Sequence, residues 1–223
     1  MKIAGIQFAC SGDKEKNTEI ALRILDFALK EGAKIVCFQE LFTVPWFPRN
    51  RDELAFDLAE TVDGETITLF REKARESDVV LVVPFFEKSG NTYFNSCAII
   101  GADGQLLGVY RKVHIPDIPL WEEKYYFSRG DQGFPVFDTG FGTIGIQISW
   151  DNLYPEVSRI LALKGAEIIF APTACAFQTQ GLWQTVISAN AIANGLYVMR
   201  VNRVGSEAAQ DFYGMSFCVN GEG

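Results

Sequence analysis

A mixed α/β fold, with helices covering sheets whose other faces are also buried, is predicted by three features of this 223-residue sequence. Most of its strand-like runs are apolar throughout, as strands buried on both faces are. In the first and last thirds those runs alternate with amphipathic helical stretches, the pattern of β-α units. Between the thirds lies a hairpin, which brings antiparallel pairing into a sheet. The length and the 48% apolar content allow a substantial core, and residues 1–223 are read as one domain in a layered sandwich.

The elements follow in order. IAGIQFAC is rich in strand formers, and DKEKNTEIALRILDFALKEG then puts Ile20, Ile24, Phe27 and Ala28 on one helical face before stopping at Gly32. AKIVCFQELF reads as a buried strand, GETITLFREKARES as a second amphipathic helix and DVVLVVPFFE as the next strand. TYFNSCAIIG and QLLGVYRKV flank the turn residues Ala102, Asp103 and Gly104, which predicts the hairpin. Residues 114–133 carry prolines and aromatics without lasting periodicity, and a connection of that length in a compact domain is often functional. GTIGIQIS, the helix PEVSRILALKG, the strand AEIIFAP, the helix LWQTVISANAIAN, the strand YVMRVN and a last strand FYGMSFCV complete the chain.

Several function classes are disfavoured. A formal charge of -8 with no Lys/Arg-rich block gives no field to gather phosphates or an anionic membrane, so nucleic acid and membrane are not expected partners. The start MKIAGIQFAC is too short in apolar residues for a signal peptide or a spanning helix, and the expected location is cytoplasmic. Five widely spaced cysteines do not suggest a disulfide scaffold. One histidine and no CxxC or HExxH predict no metal. GFGTIG at 140–145 matches a dinucleotide fingerprint but leads into a strand instead of opening a helix, so a Gly-rich turn is the better reading. His114 with Ser149 and Asp151 invites a serine triad, yet no GxSxG elbow surrounds Ser149, and a structural histidine is expected.

What remains is a set of three apolar strands, each ending in a residue that such a strand would not choose. These are Glu40 after IVCFQ, Lys112 after GVYR and Ser149 after IGIQI. Ligands bind at the carboxyl ends of strands in open α/β sheets, so the three can converge within about 3 to 5 Å although far apart in sequence. Each alone could mark a strand's exit into solvent. Together, with aromatic loops at Trp46-Phe47, Trp121, Tyr125-Tyr126-Phe127 and Trp150, they suggest a site. With a thiol at the third position, a carboxylate could take its proton, an ammonium could favour the thiolate and the developing oxyanion, and the carboxylate could then activate water.

These segments resemble the nitrilase superfamily of carbon-nitrogen hydrolases. QELF is similar to its glutamate motif, YRKVHIP to its lysine motif and GIQISWDNLYPE to its nucleophile motif, where cysteine is the usual residue at the position of Ser149. EEKYYFSRGDQGF looks like the segment with a supporting glutamate, here Glu123, while PTA at 172–174, NRVG at 202–205 and FYGMSF at 212–217 look like later segments. The loop from His114 to Asp131 is most similar to the branch that cleaves N-carbamoyl groups. The resemblance implies a four-layer α-β-β-α sandwich, no cofactor, and dimers or larger homo-oligomers. It implies a Glu40, Lys112 and residue-149 triad supported by Glu123, with Trp46, Trp150 and Thr173 as substrate-binding candidates. The expected substrate is a small-molecule amide or N-carbamoyl amine, and the carboxylates of Asp117, Glu122 and Glu123 would suit a cationic amine tail.

Two departures stand out. Serine at 149 is expected to cost most activity, because a lone carboxylate is a poor base for a hydroxyl, whereas a thiol with pKa of roughly 8.5 is within its reach. An exchange made to trap substrate, a natural loss of catalysis and a working serine variant all remain open. The chain also stops at Gly223, where the resemblance implies further strands and a tail. A non-catalytic binding or assembly protein, and amide transfer to an acceptor other than water, are the alternatives in function.

Overall fold

In the computed structural model, which describes residues 1–176, 180–208 and 210–223 with only the backbone at 180, the β-α alternation builds two five-stranded sheets. The first contains β1 (Lys2–Ile6), β2 (Ala33–Phe38), β3 (Val80–Ser89), β4 (Thr92–Ile100) and β5 (Leu106–Arg111), in that spatial order. β1, β2 and β3 are parallel, and the hairpin continues the sheet in antiparallel fashion. Helices α1 (Lys14–Lys30) and α2 (Glu65–Ser77) cover its outer face. The second sheet contains β6 (Val136–Asp138), β7 (Thr143–Ile146), β8 (Ile168–Thr173), β9 (Tyr197–Asn202) and β12 (Phe217–Val219), in the spatial order β12-β9-β8-β7-β6. Its outer face is covered by α4 (Pro155–Leu163) and α5 (Gln180–Asn194). A separate ribbon pairs β10 (Val204–Glu207) with β11 (Gln210–Tyr213), and one short helix, α3 (Glu123–Tyr126), lies in the long loop before β6.

Three apolar clusters make this the expected α-β-β-α sandwich. Ala21, Leu25, Ile67 and Phe70 of the helices pack on Val36, Phe38, Leu81 and Val83 of the first sheet. Ile35, Val80, Val82 and Ile99 meet Ile144, Ile146, Phe170 and Val201 between the sheets. Leu161, Trp183 and Ile187 cover Ile169, Ala171 and Val198 on the far side. The alternation of these residues along β2 and β3 explains why both strands are apolar throughout: each face has its own layer to fill. At Gly5 the sheets approach so closely that a Cβ would lie 2.8 Å from Val201 Cγ2, which only glycine avoids.

Several expectations need correction. The buried stripe of α1 is Asn17, Ala21 and Leu25, with Ile20, Ile24 and Ala28 at its margin, whereas Phe27 is 65% exposed. Two residues beyond Leu25, Phe27 is turned about 200° round the helix axis, away from the sheet. The single last strand expected for FYGMSFCV is broken at Gly214 and Met215, both with positive φ (64° and 51°), into β11 of the ribbon and β12 of the second sheet. β6 and β10 were too short to register as periodic runs. In GFGTIG, Gly140, Phe141 and Gly142 lie in the turn between β6 and β7, with positive φ at both glycines, and Thr143, Ile144 and Gly145 already belong to β7. Among the described residues no helix is long and apolar enough to cross a membrane, and no group of three or more His, Cys, Asp or Glu side chains could hold a metal ion.

Candidate active site

Glu40 lies just past the carboxyl end of β2, where Gln39 leaves the strand and fastens the turn by bonding the N–H and carbonyl of Phe8 at 2.8 and 2.9 Å. Lys112 follows β5, and its main chain is held on both sides: its N–H donates to the Asn95 carbonyl at 2.8 Å and its carbonyl accepts from Gly130 at 2.9 Å. Glu123 opens α3, the one helical turn in the long loop. These placements bring the three side chains together with no exposed surface. Lys112 Nζ donates to Glu40 Oε1 at 2.9 Å and to Glu123 Oε2 at 2.7 Å, and Asn95 Nδ2 adds a bond to Glu40 Oε1 at 2.8 Å.

The cluster is electrostatically unbalanced. Two buried carboxylates share one ammonium, and Glu40 Oε2 and Glu123 Oε1 have no hydrogen-bond partner. Such groups are costly to bury, and replacing buried ion pairs by apolar residues is often neutral or stabilising, so the cluster is weak evidence for a stabilising role. Burial would lower the ammonium's pKa, but the two carboxylates more than reverse this and raise it. Glu123 is pushed up to about 7, first by burial and also by the charge of Glu40, against the pull of Lys112. The site can therefore hold a proton on a carboxyl near neutral pH while keeping the lysine charged.

That shift has a measurable sign. A carboxyl whose value rises from 4.5 in the unfolded chain to about 7 in the fold contributes stability that is fully present below 4.5 and lost as pH rises through about 7. Glu123→Gln is expected to flatten the stability profile over that interval, and urea melts at closely spaced pH values would check it. A variant whose profile keeps the slope of the parent would assign the slope to other groups.

Ser149 begins the 3-10 turn Ser149–Leu153 after β7, with φ of 47°. The left-handed conformation is unusual for a residue with a Cβ and turns the side chain sharply out of the strand direction. It is 1% exposed. The turn is held by Asp151, which accepts from the Ile148 N–H at 3.0 Å, the Tyr110 hydroxyl at 2.7 Å and the His114 N–H at 3.0 Å, and meets His114 Nδ1 at 2.8 Å. Tyr110 and His114 bracket Lys112, so Asp151 ties the lysine segment to the residue-149 segment. His114 thus spends Nδ1 on Asp151 and stacks on Tyr154, as a structural histidine does.

Among the described residues no hydrogen bond joins Ser149 to Glu40 or Lys112, so of the three residues expected to converge only Glu40 and Lys112 are in contact. Burial pushes the buried Cys175 thiol up to about 12, with the charge of Arg200 pulling it down and that of Glu40 raising it. Cys175 itself is held by Asn202, whose side chain bonds both its N–H (2.8 Å) and its carbonyl (3.1 Å).

The other candidates are placed as follows. Trp46 is fully buried, and its two donors are committed, the indole N–H to Leu120 O at 3.1 Å and the main-chain N–H to Glu207 at 2.7 Å. It can be an apolar wall but has no donor left for a ligand. Trp121 sits 6.4 Å from it, centroid to centroid, and bonds Ala174 O. Trp150 packs in part on the outer apolar layer of the second sheet. Thr173 is buried at the end of β8 with its hydroxyl donated to Ala171 O at 2.9 Å. The acidic set expected for a cationic tail does not assemble: Glu122 is paired with Arg51 at 2.7 Å, Glu123 with Lys112, and Asp117 is exposed. Sequence reasoning missed Asn95, Cys175 and Arg203. Asparagine in the apolar run TYFNSCAII was the signal for the first, and the NRVG segment for the last.

Comparison with known proteins shows what the whole chain is similar to. The family model described as carbon-nitrogen hydrolase matches residues 2–223. The chain is 41% identical over 237 aligned residues to N-carbamoylputrescine amidase of Solanum lycopersicum, covering 99% of this chain and 79% of that protein. It is 39% identical to citrullinase of Francisella tularensis, covering 100% and 82%. Among solved structures, a carbon-nitrogen hydrolase from Helicobacter pylori G27 superposes with a TM-score of 0.94 at 38% identity, over 98% of this chain and 82% of that one.

Proposed function

The chain belongs to the carbon-nitrogen hydrolase family, and on that premise we propose that its site is built to hydrolyse an N-carbamoyl group or linear amide in a small molecule. The observation that carries the reading is the fully buried cluster in which Lys112 bonds both Glu40 and Glu123. With a thiol at 149, Glu40 accepts its proton and the sulfur attacks the carbonyl carbon. Lys112 stabilises the oxyanion, and the proton held by Glu40 passes to the departing nitrogen as the carbon-nitrogen bond breaks. Water then attacks the thioester, with Glu40 taking its proton and the sulfur leaving. Glu123 keeps Lys112 charged and oriented throughout. No step calls for a metal or an organic cofactor.

Serine at 149 leaves this constellation nearly complete and short of its nucleophile, so the chain as it stands is expected to bind substrate and turn it over poorly. N-carbamoylputrescine and citrulline, the compounds in the two relatives' names, share a terminal N-carbamoyl group, which supports that group as the reacting part. A Ser149→Cys protein assayed for ammonia release from a panel of carbamoyl amines and linear amides tests the proposal; a folded protein inert toward the whole panel would overturn it. The serine itself favours a second reading, a non-catalytic binding protein. Under that reading, ligand or partner binding persists when Glu40 or Lys112 is replaced.

Homo-oligomers are part of the same proposal. Leu163, Leu182, Ile192 and Tyr197 are large apolar side chains left exposed on and beside α4 and α5, which supports this part of the reading. Light scattering on the purified chain is expected to give a dimer or larger, and Leu182→Glu with Ile192→Glu to shift it toward the monomer.

A further inference from the structure

The seven residues from Glu40 to Trp46 are held by a contact that local sequence cannot provide. Arg203, just past β9 and fully buried, sends Nη2 to the carbonyls of Glu40, Leu41 and Val44 at 3.2, 2.8 and 3.0 Å. Its Nη1 donates to Glu207 Oε1 at 2.6 Å, and the other oxygen of Glu207 accepts the Trp46 N–H at 2.7 Å. One ion pair from the second sheet's side thus fastens four main-chain groups of a loop that leaves the first sheet. Three carbonyls converging on one point repel one another, and Leu41 sits at a φ of 51°. The two hydrogens of Nη2 are shared among the three carbonyls while Nη1 holds Glu207, so one rigid guanidinium serves the loop and its brace from two separate nitrogens, which a single ammonium nitrogen cannot do.

We infer that Arg203, braced by Glu207, is a positioning residue for Glu40: it fixes where that carboxylate stands relative to residue 149. This rests on the proposed hydrolase reading. Its neighbour Asn202 holds Cys175 in the same manner, so the end of β9 fastens both sides of the site. A base displaced by about 1 Å costs on the order of a hundredfold in rate, so the contribution is catalytic in consequence even though Arg203 touches no reacting atom.

The test uses Arg203→Lys and, separately, Glu207→Gln, each made in a Ser149→Cys protein. Two readouts are taken on folded protein: the split of kcat and KM for the best carbamoyl substrate, and the pH profile of iodoacetamide alkylation at residue 149, followed by peptide mass to exclude the other cysteines. Arg203→Lys is expected to lower kcat about a hundredfold with KM within about threefold, and to move the alkylation profile to higher pH. Glu207→Gln keeps the three carbonyl bonds, and a smaller change in the same direction is expected; it carries the test if the lysine variant does not fold. A lower Tm with kcat and the alkylation profile unchanged would overturn the inference and leave Arg203 a structural residue. Alkylation needs no turnover, so a shifted profile in a protein inert toward every substrate would keep the positioning role while overturning the hydrolase reading.

Discussion

Ser149→Cys raises ammonia release from the best N-carbamoyl substrate by at least about a thousandfold; loss of the nucleophile in a comparable acyl-transfer enzyme costs on the order of 10⁶. The expected gain comes from one atom. Glu40 and Lys112 already lie 2.9 Å apart, and residue 149 already occupies its left-handed turn. A thiol is far easier to deprotonate than a hydroxyl, so a buried carboxylate with one free oxygen suffices as its base. Replacement by cysteine changes little volume, and the thermal midpoint should stay close to that of the parent. Continuous ammonia detection at matched enzyme concentration measures the gain, and a thousandfold rise that Glu40→Gln then abolishes would connect it to the base.

Lys112→Met produces the second large effect, and it acts on stability as well as on chemistry. Removing the ammonium leaves two buried carboxylates facing each other, and breaking a buried pair in this way costs about 3 to 5 kcal/mol. The cost depends on pH with a definite sign. Glu123, already raised to about 7 in the intact cluster, moves higher when its cation is lost. The variant should be close to the parent in stability at low pH and fall increasingly below it as pH rises through the neutral range. Chemical denaturation at pH 5 and pH 8 would measure the gap. In the Ser149→Cys protein the same replacement should also lower kcat by about 10² to 10³, the usual cost of one oxyanion donor. A variant equally stable at both pH values would mean that the carboxylates do not depend on the lysine.

The layered fold was legible in the sequence, and so was one contact of the candidate site, that of Glu40 with Lys112. Glu40, Lys112 and residue 149 stood out because a polar side chain at the end of an apolar strand is conspicuous, and strand ends are where α/β sheets gather ligands. Glu123 came only from resemblance, since one helical turn in a proline-rich loop has no periodicity to read. Short elements escaped for the same reason: β6 and β10 have three and four residues. Phe27 went to the wrong face because hydrophobicity alone cannot say which of a helix's apolar residues face the sheet. Arg203, Asn202 and Asp151 act through main-chain groups or at large sequence separation, Arg203 reaching Glu40 across 163 positions. Their residue types were visible, but their partners were not.

The most direct test of the whole account is an acid quench of Ser149→Cys protein during turnover of an N-carbamoyl substrate, followed by peptide mass analysis. An acyl adduct is expected on the peptide carrying residue 149, forming before product accumulates and decaying as it does. No adduct and no ammonia from a folded protein, or an adduct on Cys175 instead, would contradict it.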